Sequence, residues 1–160
     1  MPGTSTNADG LAERLAALGL KLPAVQAPLA SYLPARQVAD LLYLSGHVCR
    51  DRGTVVRGTV GADIEVAAAT GLARAVALDL LASACAALGT ADTIVGVVRI
   101  TGYVRSAPGF DAQPAVIDGA SDLFVELFGD AGRHARSAVG VSQLPLGAAV
   151  EIEAIFEVRG

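Results

Sequence analysis

From Val150 to Val158 the chain alternates, with Ile155 alone out of phase: Val150, Ile152, Ala154, Phe156 and Val158 are apolar, and Glu151, Glu153 and Glu157 stand between them. Side chains of a β-strand point to opposite faces in turn, so this pattern demands a sheet with one face packed and the other polar. A natural cover lies upstream. From Glu65 to Leu88, Ala73, Val76, Ala77, Leu80, Leu81, Ala84 and Leu88 recur at helical steps, and Gly89 supplies a stop. A half-buried strand and a helix with an apolar stripe each need a partner, and here each can serve the other.

The remaining elements extend this plan. A short helix is predicted over Asp9–Leu18, with Leu11, Leu15 and Leu18 on one side and Gly19 ending it; residues 1–8, small and polar, are expected to fray. Strands are predicted near Tyr32–Val38, Leu41–Ser45 and Thr54–Gly58, separated by Ala39-Asp40 and by Asp51-Arg52-Gly53. Asp63 is the candidate N-cap of the long helix. Thr93–Val104, rich in Val, Ile and Thr, reads as a buried strand. A second helix is predicted over Pro114–Phe128, with Val116, Ala120, Leu123, Phe124 and Leu127 inward and Asp118, Asp122 and Glu126 as a solvated stripe. Strands over Arg136–Val141 and Ala149–Val158 close the chain. The order α-β-β-β-α-β-α-β-β predicts one α+β domain over residues 1–160, a mixed sheet with two main helices on one face.

Composition narrows the function. Apolar residues are 52% of the chain and charged residues only 18%, enough for a core but sparse cover for a monomer's surface, which favours association. The net charge is −4, the single Lys and eleven Arg are scattered, and Trp is absent, so neither a phosphate-binding stripe nor base-stacking platforms are expected and nucleic acid is disfavoured as a partner. Cys49 and Cys85, 36 positions apart, fit no metal or disulfide spacing and are expected as reduced thiols. The N-terminus lacks the pattern of a signal peptide, and Arg74, Asp79 and Ser83 interrupt the apolar segments. A soluble, cytoplasmic protein without a membrane partner is expected.

Few residues suggest chemistry. Arg136, Ala138 and Gly140 should share one side of a strand, leaving a guanidinium over small neighbours with room for a planar anion; an ion pair with Glu151 or Glu153 is the competing reading. Glu151 and Glu153 are placed to orient water or carry a proton, or to form salt bridges. Tyr32 offers a phenol at a strand entrance, and Ser45-Gly46 marks either a close approach to a ligand or a bulge. His47 and Cys49 lack a third orienting group, which argues against a nucleophile pair.

These residues also carry a resemblance. His134-Ala-Arg-Ser-Ala-Val-Gly-Val141, Leu144-Pro145 and Val150-Glu-Ile-Glu-Ala-Ile155 resemble the C-terminal signature of the Rid/YjgF family. Leu42-Tyr-Leu-Ser-Gly46 resembles its N-terminal strand and turn, Ala30-Ser-Tyr-Leu-Pro34 its tyrosine segment, and Phe110 with Asp122–Gly129 its second helix. The resemblance implies a chorismate-mutase-like fold, a homotrimer with ligand sites between subunits, and hydrolysis of 2-imino acids or their enamine tautomers to 2-keto acids and ammonia without cofactor or metal. It assigns Arg136 to the substrate carboxylate, Glu151 to the attacking water and Tyr32 to the ligand border, with Ser45, Gly46, Ala138 and Phe110 lining the pocket. Gln143 stands where the family commonly has Arg, and some 25 N-terminal residues, with their short helix, are an extension. A non-enzymatic binder of small carboxylates and an endoribonuclease are the alternatives, and fold analogy alone adds a chorismate mutase.

Overall fold

The computed structural model describes residues 10–27 and 30–160. Along these run α1 (Leu11–Ala17), β1 (Ala35–Val38), β2 (Leu41–Val48), β3 (Arg50–Asp51), β4 (Thr54–Val55), α2 (Val66–Leu88), β5 (Ile94–Arg105), α3 (Gln113–Phe128), β6 (Ala135–Val141) and β7 (Val150–Val158). The expectations for residues 1–8 and for Asp9 as a helix start fall outside the described residues.

β7 lies at the centre of a five-stranded sheet ordered β1-β2-β7-β5-β6. It runs antiparallel to β2 and β5, while β6 lies parallel to β5. A parallel pair needs a crossover rather than a hairpin, and α3 supplies it. The alternation of β7 has the predicted consequence: Val150, Ile152, Ala154, Phe156 and Val158 are all buried, whereas Glu153 and Glu157 are exposed and Glu151 half-buried. On the packed face lie α2 and α3, contributing Val76, Leu80, Leu81, Ile117, Leu123, Phe124 and Leu127 to one continuous core. Each fully buried side chain of this size contributes roughly 1.5–3 kcal/mol. Mixed sheet and two helices on one face agree with the α+β expectation.

By length and composition α2 would suffice to cross a membrane despite Arg74 and Asp79. Its stripe is buried in the protein instead, with Ala69, Ala73, Val76, Ala77, Leu80, Leu81 and Ala84 inaccessible to solvent. Small residues let the two main helices approach closely. A Cβ on Gly119 of α3 would collide with the carbonyl oxygen of Thr70 on α2, and the Thr70 hydroxyl donates to the carbonyls of Val66 (2.9 Å) and Ala115 (3.1 Å).

Several local expectations are corrected. Glu65, not Asp63, occupies the N-cap of α2, and it caps through no side-chain bond; the Asp63 carboxylate instead accepts from the Thr59 amide (3.1 Å), closing the preceding turn. The stretch predicted as a strand from Tyr32 pairs only from Ala35, and Thr54–Gly58 reduces to Thr54–Val55 in a small hairpin with β3. Leu18 lies just past α1 and is exposed, because the helix buries only Leu11 and Leu15. Phe110 lies before α3, against Gly61. The acidic stripe of α3 is engaged rather than idle: Asp118 pairs with Arg136, and Glu126 accepts both arms of Arg74 from α2 (2.8 and 3.2 Å).

Candidate active site

β1 is shorter than β2, pairing only with Leu41–Leu44, so beyond Leu44 the outer edge of β2 is left open. There the register against β7 slips between Leu44 and His47, a bulge that sets Ser45 and Gly46 apart from the ladder. The incoming chain holds the bulge from outside: the Ser45 amide donates to Pro34 O (2.9 Å) and its hydroxyl to Leu33 O (2.6 Å). A cavity of about 290 Å³ opens at this break. Tyr32, Ser45, Gly46, His47, Arg50, Asp79 and Glu151 give it polar groups, and Pro34, Val48, Pro145 and Leu146 give it apolar walls.

Gly46 is a requirement of space. A Cβ there would collide with the carboxylate of Glu151, which lies over the bulge. Two residues more than a hundred positions apart are thus fitted to each other. Burial raises the Glu151 carboxyl above the ordinary carboxylate range, and the charge of Glu153 adds to the effect. A half-buried carboxylate with raised basicity is suited to take a proton from water.

His47 stands on the opposite side of β2. Its Nδ1 lies 2.7 Å from Ser45 O, and its Nε2 lies 2.7 Å from the hydroxyl of Ser83, a buried residue of α2. A carbonyl only accepts, so Nδ1 carries the hydrogen and Nε2 accepts from Ser83. Burial lowers the His47 pKa, with Arg50 contributing, so the neutral ring is the fitting form. Both nitrogens are occupied, and the ring ties the bulge to α2. Cys49, two residues on, is fully buried and donates to Val56 O (3.3 Å), so the two do not form a nucleophile pair.

Asp79 of α2 reaches the cavity from the helix layer. Burial pushes its carboxyl up to about 6, with the charge of Arg50 working in the other direction. Arg50 itself donates to Gly53 O (3.1 Å). Asp79 and Arg50 are not among the residues that the sequence marks for chemistry, since nothing in linear spacing brings a strand-end arginine and a mid-helix aspartate into one cavity with Glu151. One signal was available: Asp79 interrupts an apolar helix beside Leu80, at the margin of its buried stripe.

Four of the seven candidate residues, Tyr32, Ser45, Gly46 and Glu151, therefore line one cavity, and three do not. Arg136, Ala138 and Gly140 do share one side of β6, as alternation predicted, but that side lies under α3 at the far edge of the sheet. The Arg136 guanidinium donates to Asp118 (2.7 Å) and to Ser121 (3.2 Å), so its ion-pair partner comes from a helix rather than being Glu151 or Glu153. β6 neighbours only β5, which is why the glutamates of β7 lie out of its reach. Ala138 packs against the core, and Phe110 closes over Gly61. Among the described residues no group of three or more His, Cys, Asp or Glu is arranged to hold a metal.

Residues 12–157 match the family described as "YjgF/chorismate mutase-like, putative endoribonuclease". The chain belongs to the YjgF family. The match spans the open-edged β2, the bulge and β7, so the cavity lies on family structure throughout. Protein TCP17 of Trypanosoma cruzi is 43% identical over 151 residues, covering 93% of this chain and 94% of its own. The crystal structure of Atu1372 from Agrobacterium tumefaciens, a protein of unknown function, is 42% identical with a TM-score of 0.85, covering 94% of each chain. The YjgF gene product of E. coli is 26% identical with a TM-score of 0.58 over 85% of this chain and 94% of its own. The YjgF relationship thus accounts for the C-terminal signature and for the chorismate-mutase-like α+β fold.

Proposed function

We propose that the chain hydrolyses 2-imino acids, or their enamine tautomers, to 2-keto acids and ammonia in the cytoplasm, at the cavity beneath the β2 bulge. The observation that carries this reading is the convergence of Tyr32, Ser45, Gly46 and Glu151, from opposite ends of the chain, on one partly apolar cavity. Glu151 takes a proton from water as the water adds to C2 of the imine, and Tyr32 with the apolar walls borders the side chain of the substrate. Holding the substrate in one orientation turns random encounter with water into positioned attack, so neither a nucleophilic triad nor a cofactor is called for.

In this reading Arg136 holds the substrate carboxylate of a neighbouring copy within a homotrimer, exchanging Asp118 for substrate. Its position at the edge strand, away from its own chain's cavity, agrees with service to a neighbour. Enzyme-dependent ammonia release from an imino acid generated in situ by an amino-acid oxidase tests the activity. Release no faster than in buffer rejects it.

Endoribonuclease action has less support. The two histidines lie in separate places, His47 bonded through both nitrogens and His134 bonded to Gly132 O (2.6 Å) and Ser121 (3.0 Å), and the chain is acidic without a basic stripe. A binder of small carboxylates would use the same cavity without turnover, and the ammonia assay separates that case.

A further inference from the structure

We propose that Asp79 is the proton donor of this site, acting on the substrate nitrogen across the cavity from Glu151, with Arg50 as the positioning residue beside it. The inference rests on the imine-hydrolysis reading and adds to it the acid that the reaction needs. Water addition to a carbon–nitrogen double bond requires one proton removed from water and another placed on nitrogen, and a single carboxylate cannot do both at once.

Asp79 has the right place. Between Leu78 and Leu80 it marks the margin of the buried stripe of α2, and it lines both the Glu151 cavity and the neighbouring hollow formed with Lys21, Asp51 and Arg52. The charged and titratable groups that share these two hollows with it are Arg50, Asp51 and Arg52 from the β3–β4 hairpin, Lys21 from the segment after α1, Tyr32 from the segment before β1, Glu151 from β7 and neutral His47 from β2, and of these Arg50 is the one whose charge acts on it. Among the described residues neither Asp79 nor Arg50 has an ion-pair partner within 4 Å, whereas Arg136 and Arg74 each have one. Asp79 is thus a partly buried carboxyl not committed to a structural ion pair. Burial, its largest perturbation, favours the protonated form, and a carboxyl titrating at about 6 keeps a usable acid fraction near neutral pH.

The step closes on itself. The Asp79 carboxylic acid gives its proton to the imine nitrogen while Glu151 takes one from water, whose oxygen bonds to C2 as the C=N π bond moves onto nitrogen. The carbinolamine then receives on nitrogen the proton held by Glu151, and its hydroxyl proton returns to Asp79 as the C–N bond breaks. Ammonia and the keto acid leave, and both carboxyls regain their starting states.

With imino acid generated in situ, Asp79→Asn should lower the enzyme-dependent kcat about 100-fold with KM changed little. Asp79→Glu should restore part of it. In wild type kcat/KM should fall as pH rises above about 6, and that limb should vanish in Asp79→Asn. Arg50→Gln should move the limb to higher pH, because the guanidinium charge that favours ionised Asp79 is gone; a purely structural Arg50 would leave its position unchanged. A wild-type rate and limb in Asp79→Asn, or an unmoved limb in a folded Arg50→Gln, overturns the assignment while the imine-hydrolysis reading stands. Wild-type protein no faster than buffer overturns both.

Discussion

Gly46 is the residue at which sequence and site are most tightly linked. An alanine there meets the end of a flexible side chain rather than backbone, so Gly46→Ala should cost little stability, within about 0.5 kcal/mol, while displacing the Glu151 carboxylate. Hydrolysis should fall at least tenfold with the melting temperature nearly unchanged; equal activity would show that the close approach does not matter. Asp79 supports a second prediction, in which the sign matters. Its folded pKa of about 6 lies above the ordinary 3.8, so between these values the folded chain binds more protons than the unfolded. Its contribution to stability is therefore full below about pH 4 and is lost as pH rises through about 6. Lowered pKa values of His47 and His134 act oppositely, favouring the fold as pH rises, so wild type alone gives a mixed curve. Asp79→Asn should gain stability relative to wild type between pH 4 and 6, read as a pH-dependent gap in urea midpoints. A constant gap across that window would contradict the burial of the carboxyl.

At the scale of elements, legibility followed the strength of the periodic signal. β7 and α2 were readable because Val150–Val158 and Ala73–Leu88 carry long periods, whose buried faces the structure reproduces apart from half-buried Leu88. β1 and the β3–β4 hairpin are only two to four residues long, too short for a period to show, and their limits are set by where pairing partners end. The bulge at Ser45-Gly46 was legible only as one of two readings, since a register slip depends on the partner strand. The pairing of Arg136 with Asp118 was not legible, because it needs the crossover that brings α3 over β6. The α2–α3 contact yields a stability prediction. Gly119→Ala places a methyl against the Thr70 backbone, and overpacking of this kind costs about 1–3 kcal/mol. Denaturant unfolding should show that loss; unchanged stability would mean that the helices separate at no cost.

For the whole molecule the question is what meets the uncovered face of the sheet. Tyr43 and Val139 are each more than two-fifths exposed there, together with the glutamates of β7. The trimer proposed above would cover such a surface, and light scattering should give three times the monomer mass of 16.1 kDa. A monomer at micromolar concentration would leave Arg136 nowhere to act. Catalysis as proposed turns on water held by one carboxylate beneath the β2 bulge. Its most direct test is the rate of keto acid formation from a freshly generated imino acid, compared between wild type and a folded Glu151→Gln variant. The structure leads to a wild-type rate well above buffer and a variant rate close to it; equal rates in the two proteins would contradict the claim.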